Sequence, residues 1–248
     1  MMGPGFYNMD CMEGMRQFPD GFFDLAIVDP PYGIQANTFN NGSGASKDKR
    51  VYGTAQRIEK GRLNQGAGKL KDHLLNRSNC SWDAAPPDSS YWKELFRVSQ
   101  NQIIWGGNYF DLPPTRGIIV WDKVQPWENF SQVEVAWTSF DRPAALFRYC
   151  NTNPGSVGPT GKIHPTQKPV VLYQWLLSRY AKPGMKILDT HVGSASSLIA
   201  CHRAGLEYWG FEIDEYYYKL ASERLEREKQ QVSMMEIARE EPEQTSMF

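Results

Sequence analysis

Seven short apolar runs, each closed by a breaker or an acid, recur along this chain and limit what it can fold into: residues 6–9, 25–28, 102–105, 117–121, 133–137, 186–188 and 208–211. Runs this short, rich in β-branched and aromatic side chains, read as strands. Residues 91–98, 170–181, 196–204 and 216 to about 239 read as helices, with Pro183-Gly184 and Gly205 as stop signals. Strands that alternate with helices predict an α/β fold, a mostly parallel, doubly wound sheet of seven strands with helices on both faces. Its 248 residues suit a single catalytic domain.

Hydrophobic residues make up 41% of the chain, enough for a substantial core, yet no apolar run approaches the roughly 18 residues of a membrane span. The first residues lack a basic stretch followed by an apolar one, so the expected location is cytoplasmic. Cys11, Cys80, Cys150 and Cys201 lie far apart and form no ligand spacing with His73, His164, His191 or His202. Neither a disulfide scaffold nor a metal site is expected.

Near-neutral totals, 27 basic against 28 acidic residues, hide an asymmetry. Residues 36–79 carry nine basic side chains, among them Lys47, Lys49, Arg50, Arg57, Lys60 and Arg62, against three acidic ones. This Gly/Asn/Ser-rich stretch has no apolar period and reads as a flexible basic insertion facing a polyanion. The bland reading, a solvated loop, is weakened by what precedes it.

Four runs end in a carboxylate: Asp10, Asp29, Asp189 and Glu212. Ligands of an open α/β sheet sit beyond the carboxyl ends of its strands, so these acids can converge on one pocket. A single acid at such a place is usually a helix cap; four together are harder to dismiss. After Asp189 the chain reads Thr190-His191-Val192-Gly193-Ser194-Ala195-Ser196, a small-residue turn into a helix, and Glu212 follows Gly193 by 19 residues, the spacing of an acid that takes ribose hydroxyls. A nucleoside cofactor fits. Gly193, Ala195 and Leu198 stand where a dinucleotide fingerprint needs three glycines, which disfavours NAD and a hydride-transferring oxidoreductase.

The sharpest motif is Asp29-Pro30-Pro31-Tyr32-Gly33. Two prolines fix the backbone and remove two amide donors, leaving carbonyl oxygens and a carboxylate beside an aromatic ring. An exocyclic amino group of a base becomes nucleophilic once acceptors bind both its hydrogens. Asp29 and the Pro30 carbonyl supply two such acceptors, Pro31 stiffens the turn, and the Tyr32 ring can stack on a base turned out of its helix.

These residues resemble the amino-group DNA methyltransferases that use S-adenosylmethionine. Because Asp29-Pro30-Pro31-Tyr32 precedes Asp189 to Ser194, with His164-Pro165-Thr166-Gln167-Lys168-Pro169 between them, the chain looks like the permuted β class of adenine-N6 and cytosine-N4 enzymes. Residues 103–110 look like phage- and prophage-type members. The resemblance implies a circularly permuted, Rossmann-like class I methyltransferase fold. It implies that Asp10 and Cys11 hold the cofactor's adenine, that Glu212 holds its ribose, and that Asp189, His191, Gly193 and Ser194 line its methionine side. Thr166 and Lys168 help there, Lys168 on the cofactor carboxylate, and Asp29 borders the cofactor. His191 stands where the family usually has Phe and Ala195 where it has a second Gly.

The implied reaction is site-specific methylation of adenine N6 in double-stranded DNA by base flipping, releasing S-adenosylhomocysteine. Aspartate at position 29 favours adenine, with cytosine-N4 the runner-up; a silent DNA-binding protein would be expected to have altered Asp29. Residues 122–163 are expected to add target recognition. Compatible partners are DNA, a second copy of the chain and a companion restriction endonuclease; neither membrane nor metal is expected, and DNA binding would place the protein on the nucleoid.

Overall fold

The structure, a computed structural model, describes residues 1–33, 83, 85–125, 131–150 and 162–240, with backbone alone from 232. Eight strands build one sheet: β1 (Gly5–Asn8), β2 (Leu25–Val28), β3 (Gln102–Trp105), β4 (Ile118–Asp122), β5 (Val133–Thr138), β6 (Ala145–Arg148), β7 (Lys186–Asp189) and β8 (Glu207–Glu212). Their order is β1-β8-β7-β2-β3-β5-β4-β6. The first five are mutually parallel, β5 is antiparallel to both neighbours, and β6 runs parallel to β4.

All seven expected strands are present, and β6 is an eighth. It escapes a reading from sequence because Ala145-Leu146-Phe147-Arg148 alternates half-buried and exposed positions without alternating in polarity, Leu146 standing 57% exposed. Two strands, β5 and β6, occupy part of the 122–163 segment expected to read DNA, so that part is sheet.

The helices are α1 (Cys11–Met15), α2 (Ser89–Val98), α3 (Val170–Tyr180), α4 (Ser196–Arg203) and α5 (Glu215–Glu240). The five-residue α1 is too short to show a helical period; it starts because the Asp10 carboxylate accepts from the backbone N–H of Met12 at 2.7 Å. In α2 the Asp88 side chain caps the first turn in the same way.

Strands β2 and β3 are buried at every position because both faces of the sheet are covered. On one face Leu25, Ile27, Ile103 and Ile187 pack with Leu172, Leu176 and Leu177 of α3 and Ala200 of α4. On the other, Ala26, Val28, Ile104 and Leu188 pack with Met15 of α1 and Tyr91 and Leu95 of α2. Helix α5 closes over α4 and β1, with Ala221 and Leu225 against Leu198 and Phe6.

Because neighbouring positions of β3 enter separate cores, Ile103→Ala and Ile104→Ala should each destabilise the protein by about 2–5 kcal/mol in urea unfolding. A strand with one solvent-facing side would show the loss at only one of them.

Candidate active site

Beyond the carboxyl ends of β1, β2, β7 and β8 lies a cavity of about 460 Å³, within the range of small-molecule sites. Asp10, Cys11, Asp29, Pro30, Pro31, Tyr32, Thr166, Lys168, His191, Gly193, Ser194 and Glu212 all line it, so residues up to 202 positions apart in sequence share one wall. Asp189 does not. It is 3% exposed beneath the turn after β7, where its carboxylate accepts from Ser197 Oγ and, at 3.0 Å, from the His191 N–H. Lys47, Lys49, Arg50, Arg57, Lys60 and Arg62 lie outside the described residues.

The turn from β7 to α4 has its shape because Gly193 and Ala195 both take left-handed backbone conformations, φ 55° and 61°. Glycine tolerates this; Ala195, where the resembled family usually has Gly, does so under strain. From α5, Arg224 donates to the Ser194 carbonyl at 2.6 Å and to Ser196 Oγ at 2.9 Å, tying the turn down. Glu212 accepts the Gly193 N–H at 2.8 Å and the Asp214 N–H at 3.0 Å. Each carboxylate oxygen keeps a further lone pair for a ligand hydroxyl.

Across the cavity, Tyr32 donates its hydroxyl proton to Asp29 Oδ1 at 2.6 Å, and Lys168 pairs with Asp29 Oδ2. One face of the Tyr32 ring is stacked on Tyr109, with centroids 4.8 Å apart and planes at 12°. Gly106, at φ 71°, lets the Tyr32 ring approach its backbone; a Cβ there would stand 2.2 Å from a ring carbon. Lys168 does not reach out for a cofactor carboxylate. Its ammonium lies between Asp29 and Glu134, 3.1 Å from the latter, and Glu134 also binds Lys123 at 2.5 Å. Burial depresses the Lys168 ammonium, but the two carboxylates more than offset that and raise it above the ordinary lysine value. Burial likewise pushes Glu134 up, and Lys168 and Lys123 bring it down to about 2.

The family signature described as DNA methylase, of the N6/N4 type, matches residues 119–223. Over that segment the chain is similar to the N6/N4 DNA methylases. YubD of Escherichia coli (strain K12), whose name carries the word methylase, is 24% identical over 223 residues, 89% of each chain. The type II methyltransferase M2.DpnII of Streptococcus pneumoniae is 26% identical over 157 residues, 63% of this chain and 53% of that one. Among solved structures, PvuII DNA methyltransferase (cytosine-N4-specific) superposes with a TM-score of 0.54 at 14% identity, covering 93% of this chain and 91% of that one. The fold is that of a class I methyltransferase.

The N6/N4 segment begins at β4, so it contains Lys168, Gly193 and Glu212 while the Asp29-Pro30-Pro31-Tyr32 turn lies upstream of it. It also contains Glu134 and Gln167, which sequence reasoning passed over together with Arg224 just beyond its end. A lone acid between Val133 and Val135 was the available signal for Glu134. Gln167 had none. Its Oε1 accepts from the Ile163 N–H at 3.0 Å, which leaves Nε2 buried in the cavity wall without a hydrogen-bond partner among the described residues. A buried donor in that position suits a ligand acceptor. Together with the Glu212 carboxylate beside the Gly193 turn, this donor set fits a nucleoside cofactor with an acidic end. Among the described residues no cluster of three or more His, Cys, Asp or Glu could hold a metal, and no helix is long and apolar enough to cross a membrane.

Burial pushes the Glu212 carboxyl up to about 7 and Asp189 up to about 6, while it pushes His164 down to about 3 and His191 down to about 4. The signs oppose. Acids whose folded pKa is raised make stability fall as pH rises through the window, and histidines whose folded pKa is depressed make it rise. Stability should therefore change little between about pH 4.5 and 6. Glu212→Gln removes one of the falling contributions, so the variant's stability relative to the wild type should climb from about pH 4.5 to 7, by roughly 1.4 kcal/mol per pH unit. Urea unfolding at three pH values measures it; parallel curves would refute a raised Glu212.

Proposed function

We propose that the protein transfers a methyl group from S-adenosylmethionine to the exocyclic N6 of adenine in double-stranded DNA, at a specific sequence. The observation that carries this reading is one cavity whose walls are the Asp29-Pro30-Pro31-Tyr32 turn on one side and the Gly193 turn with Glu212 on the other. The N6/N4 family match and the class I fold support it.

When bound, S-adenosylmethionine supplies a methyl group on a cationic sulfur that departs as the neutral thioether of S-adenosylhomocysteine. The chain's residues do the rest. Glu212 accepts from the ribose hydroxyls, Asp10 and Cys11 border the adenine, and Thr166, Gln167, His191 and Ser194 surround the methionine end. On the target side, Asp29 and the Pro30 carbonyl accept the two amino hydrogens. The nitrogen lone pair, thus aimed at the methyl carbon, forms the new N–C bond as the C–S pair returns to sulfur, and the nitrogen sheds one hydrogen as a proton. Tyr32 and Lys168 hold the Asp29 oxygens in place, so the Tyr32 hydroxyl has a positioning role besides the ring's stacking. The base reaches this floor only when rotated out of the duplex.

The basic side chains of residues 36–79 would track phosphates, and the residues of 122–163 outside β5 and β6 would add base contacts. Aspartate at the head of the motif supports adenine as the target.

Asp29→Ala should abolish transfer from labelled S-adenosylmethionine while calorimetric affinity for the cofactor changes little. Nucleoside mass spectrometry of DNA from a methylation-free host decides the base: N6-methyladenine is expected, and 4-methylcytosine alone would overturn the assignment. Neutralising Lys47, Lys49 and Arg50 together should weaken DNA binding about equally across sequences. The slope of log affinity against log salt should fall by roughly 0.9 for each phosphate no longer neutralised. An unchanged slope would make the segment a solvated loop.

A further inference from the structure

One charged residue of the cavity has no task in the scheme above. Glu134 projects from β5 into the same cavity as Asp29, with a 24% exposed side chain, and it is the middle of a chain of charges: Lys123, Glu134, Lys168, Asp29. Two ammonium groups and two carboxylates cancel. The Lys168 side chain is 3% exposed, so water contributes little to that balance, and the aromatic rings of Trp105 and Tyr32 lie 5.3 and 6.0 Å from its nitrogen.

Without Glu134 the remaining three residues would carry one positive charge in excess beside the acceptor Asp29. That excess would act on two species of the proposed reaction. A sulfonium cation would be repelled, whereas the thioether left after transfer would not be. The amino nitrogen, which gains positive character as its bond to carbon forms, would be disfavoured as well. Both penalties arise in a partly water-excluded cavity, where a charge a few ångströms away is weakly screened.

We propose that Glu134 is the counter-charge of the reacting centre, a positioning residue that holds Lys168 on Asp29 and cancels the cationic excess a sulfonium donor would otherwise meet. This rests on the methyl-transfer reading of the site. Strand β5 is suited to the task because Glu134 is paired with Trp121 of β4 and the strand is laddered to β3 from Ala136 onward, so the carboxylate is presented from a sheet backbone.

The test is the ratio of affinities for S-adenosylmethionine and S-adenosylhomocysteine, two ligands that differ by a methyl group and a charge, measured by calorimetry without DNA. Glu134→Gln, nearly the same size, should weaken S-adenosylmethionine relative to S-adenosylhomocysteine by about three- to tenfold. The double variant Lys123→Met/Glu134→Gln removes one charge of each sign and should bring the ratio back to within about twofold of the wild type. A residue that served packing alone would lose both ligands equally and would not be rescued by a second lesion. An unchanged ratio in Glu134→Gln, or no recovery in the double variant, overturns the proposal while leaving methyl transfer standing. Wild-type protein that binds neither ligand overturns both. Should Glu134→Gln fail to fold, the double variant decides: recovery of folding with a wild-type ratio supports charge balance, and continued failure refutes it.

Discussion

The burial of Lys168 between two carboxylates is the interaction on which the geometry of the cavity depends. Its partners come from the end of β2 and the start of β5, and Lys168 itself sits just before α3, 139 residues beyond Asp29. Removing a lysine from water costs several kcal/mol, and leaving a buried partner unpaired costs about 3–5 kcal/mol. The three segments must therefore arrive together or the pair is not made. Helix α3 secures the arrival: Leu172, Leu176 and Leu177 anchor it on the sheet, and its entry at Pro169 follows Lys168 directly. An apolar interaction and an ionic one thus share the same few residues.

The opposite wall is organised by backbone rather than by ions. Ala195 occupies a conformation that costs an ordinary residue about 1–2 kcal/mol, and it persists because the surroundings over-determine it. Glu212 receives the Gly193 amide, Arg224 donates to the Ser194 carbonyl, and Asp189 holds Ser197 and the His191 amide from below. Asp189 lies outside the cavity yet fixes the loop that borders it. Its expected place was beside a ligand; its observed place, at the same strand end, is behind the cavity wall.

How much of this was legible in the sequence follows from the range over which each feature is determined. Parallel strands covered on both faces write themselves as apolar runs, so β2, β3, β7 and β8 were readable, as was the meeting of Asp10, Asp29 and Glu212 at their ends. Strand β6 and the one-turn helix α1 were not, because β6 sets an apolar Leu146 at an exposed position and α1 is too short to show a helical period. Asp29, Tyr32, Lys168, Gly193 and Glu212 line the cavity and Asp189 does not, and the protein partners of Lys168 were not read from sequence. An ion pair spanning 139 positions leaves no local trace, and a lysine beside a motif reads equally well as a ligand's partner or an acid's. Gln167 and Arg224 are unreadable for the same reason: each matters through what the fold sets opposite it.

Two ways of burying carboxylates thus coexist at this cavity and just behind its wall. On the Asp29 side the negative charges are matched by fixed ammonium groups, and Glu134 is held down to about 2. Around Glu212 and Asp189 the partners are amides and a hydroxyl, which carry no full charge, and burial raises the two acids to about 7 and 6. The difference divides the site by its response to protons. Near neutral pH the Glu212 wall exchanges a proton and so couples ligand hydroxyls to pH, whereas Glu134 and Lys168 keep their charges. An acceptor that must draw hydrogen bonds from a weakly basic amino group gains from that separation, because its surroundings stay fixed while the wall that admits the second ligand adjusts.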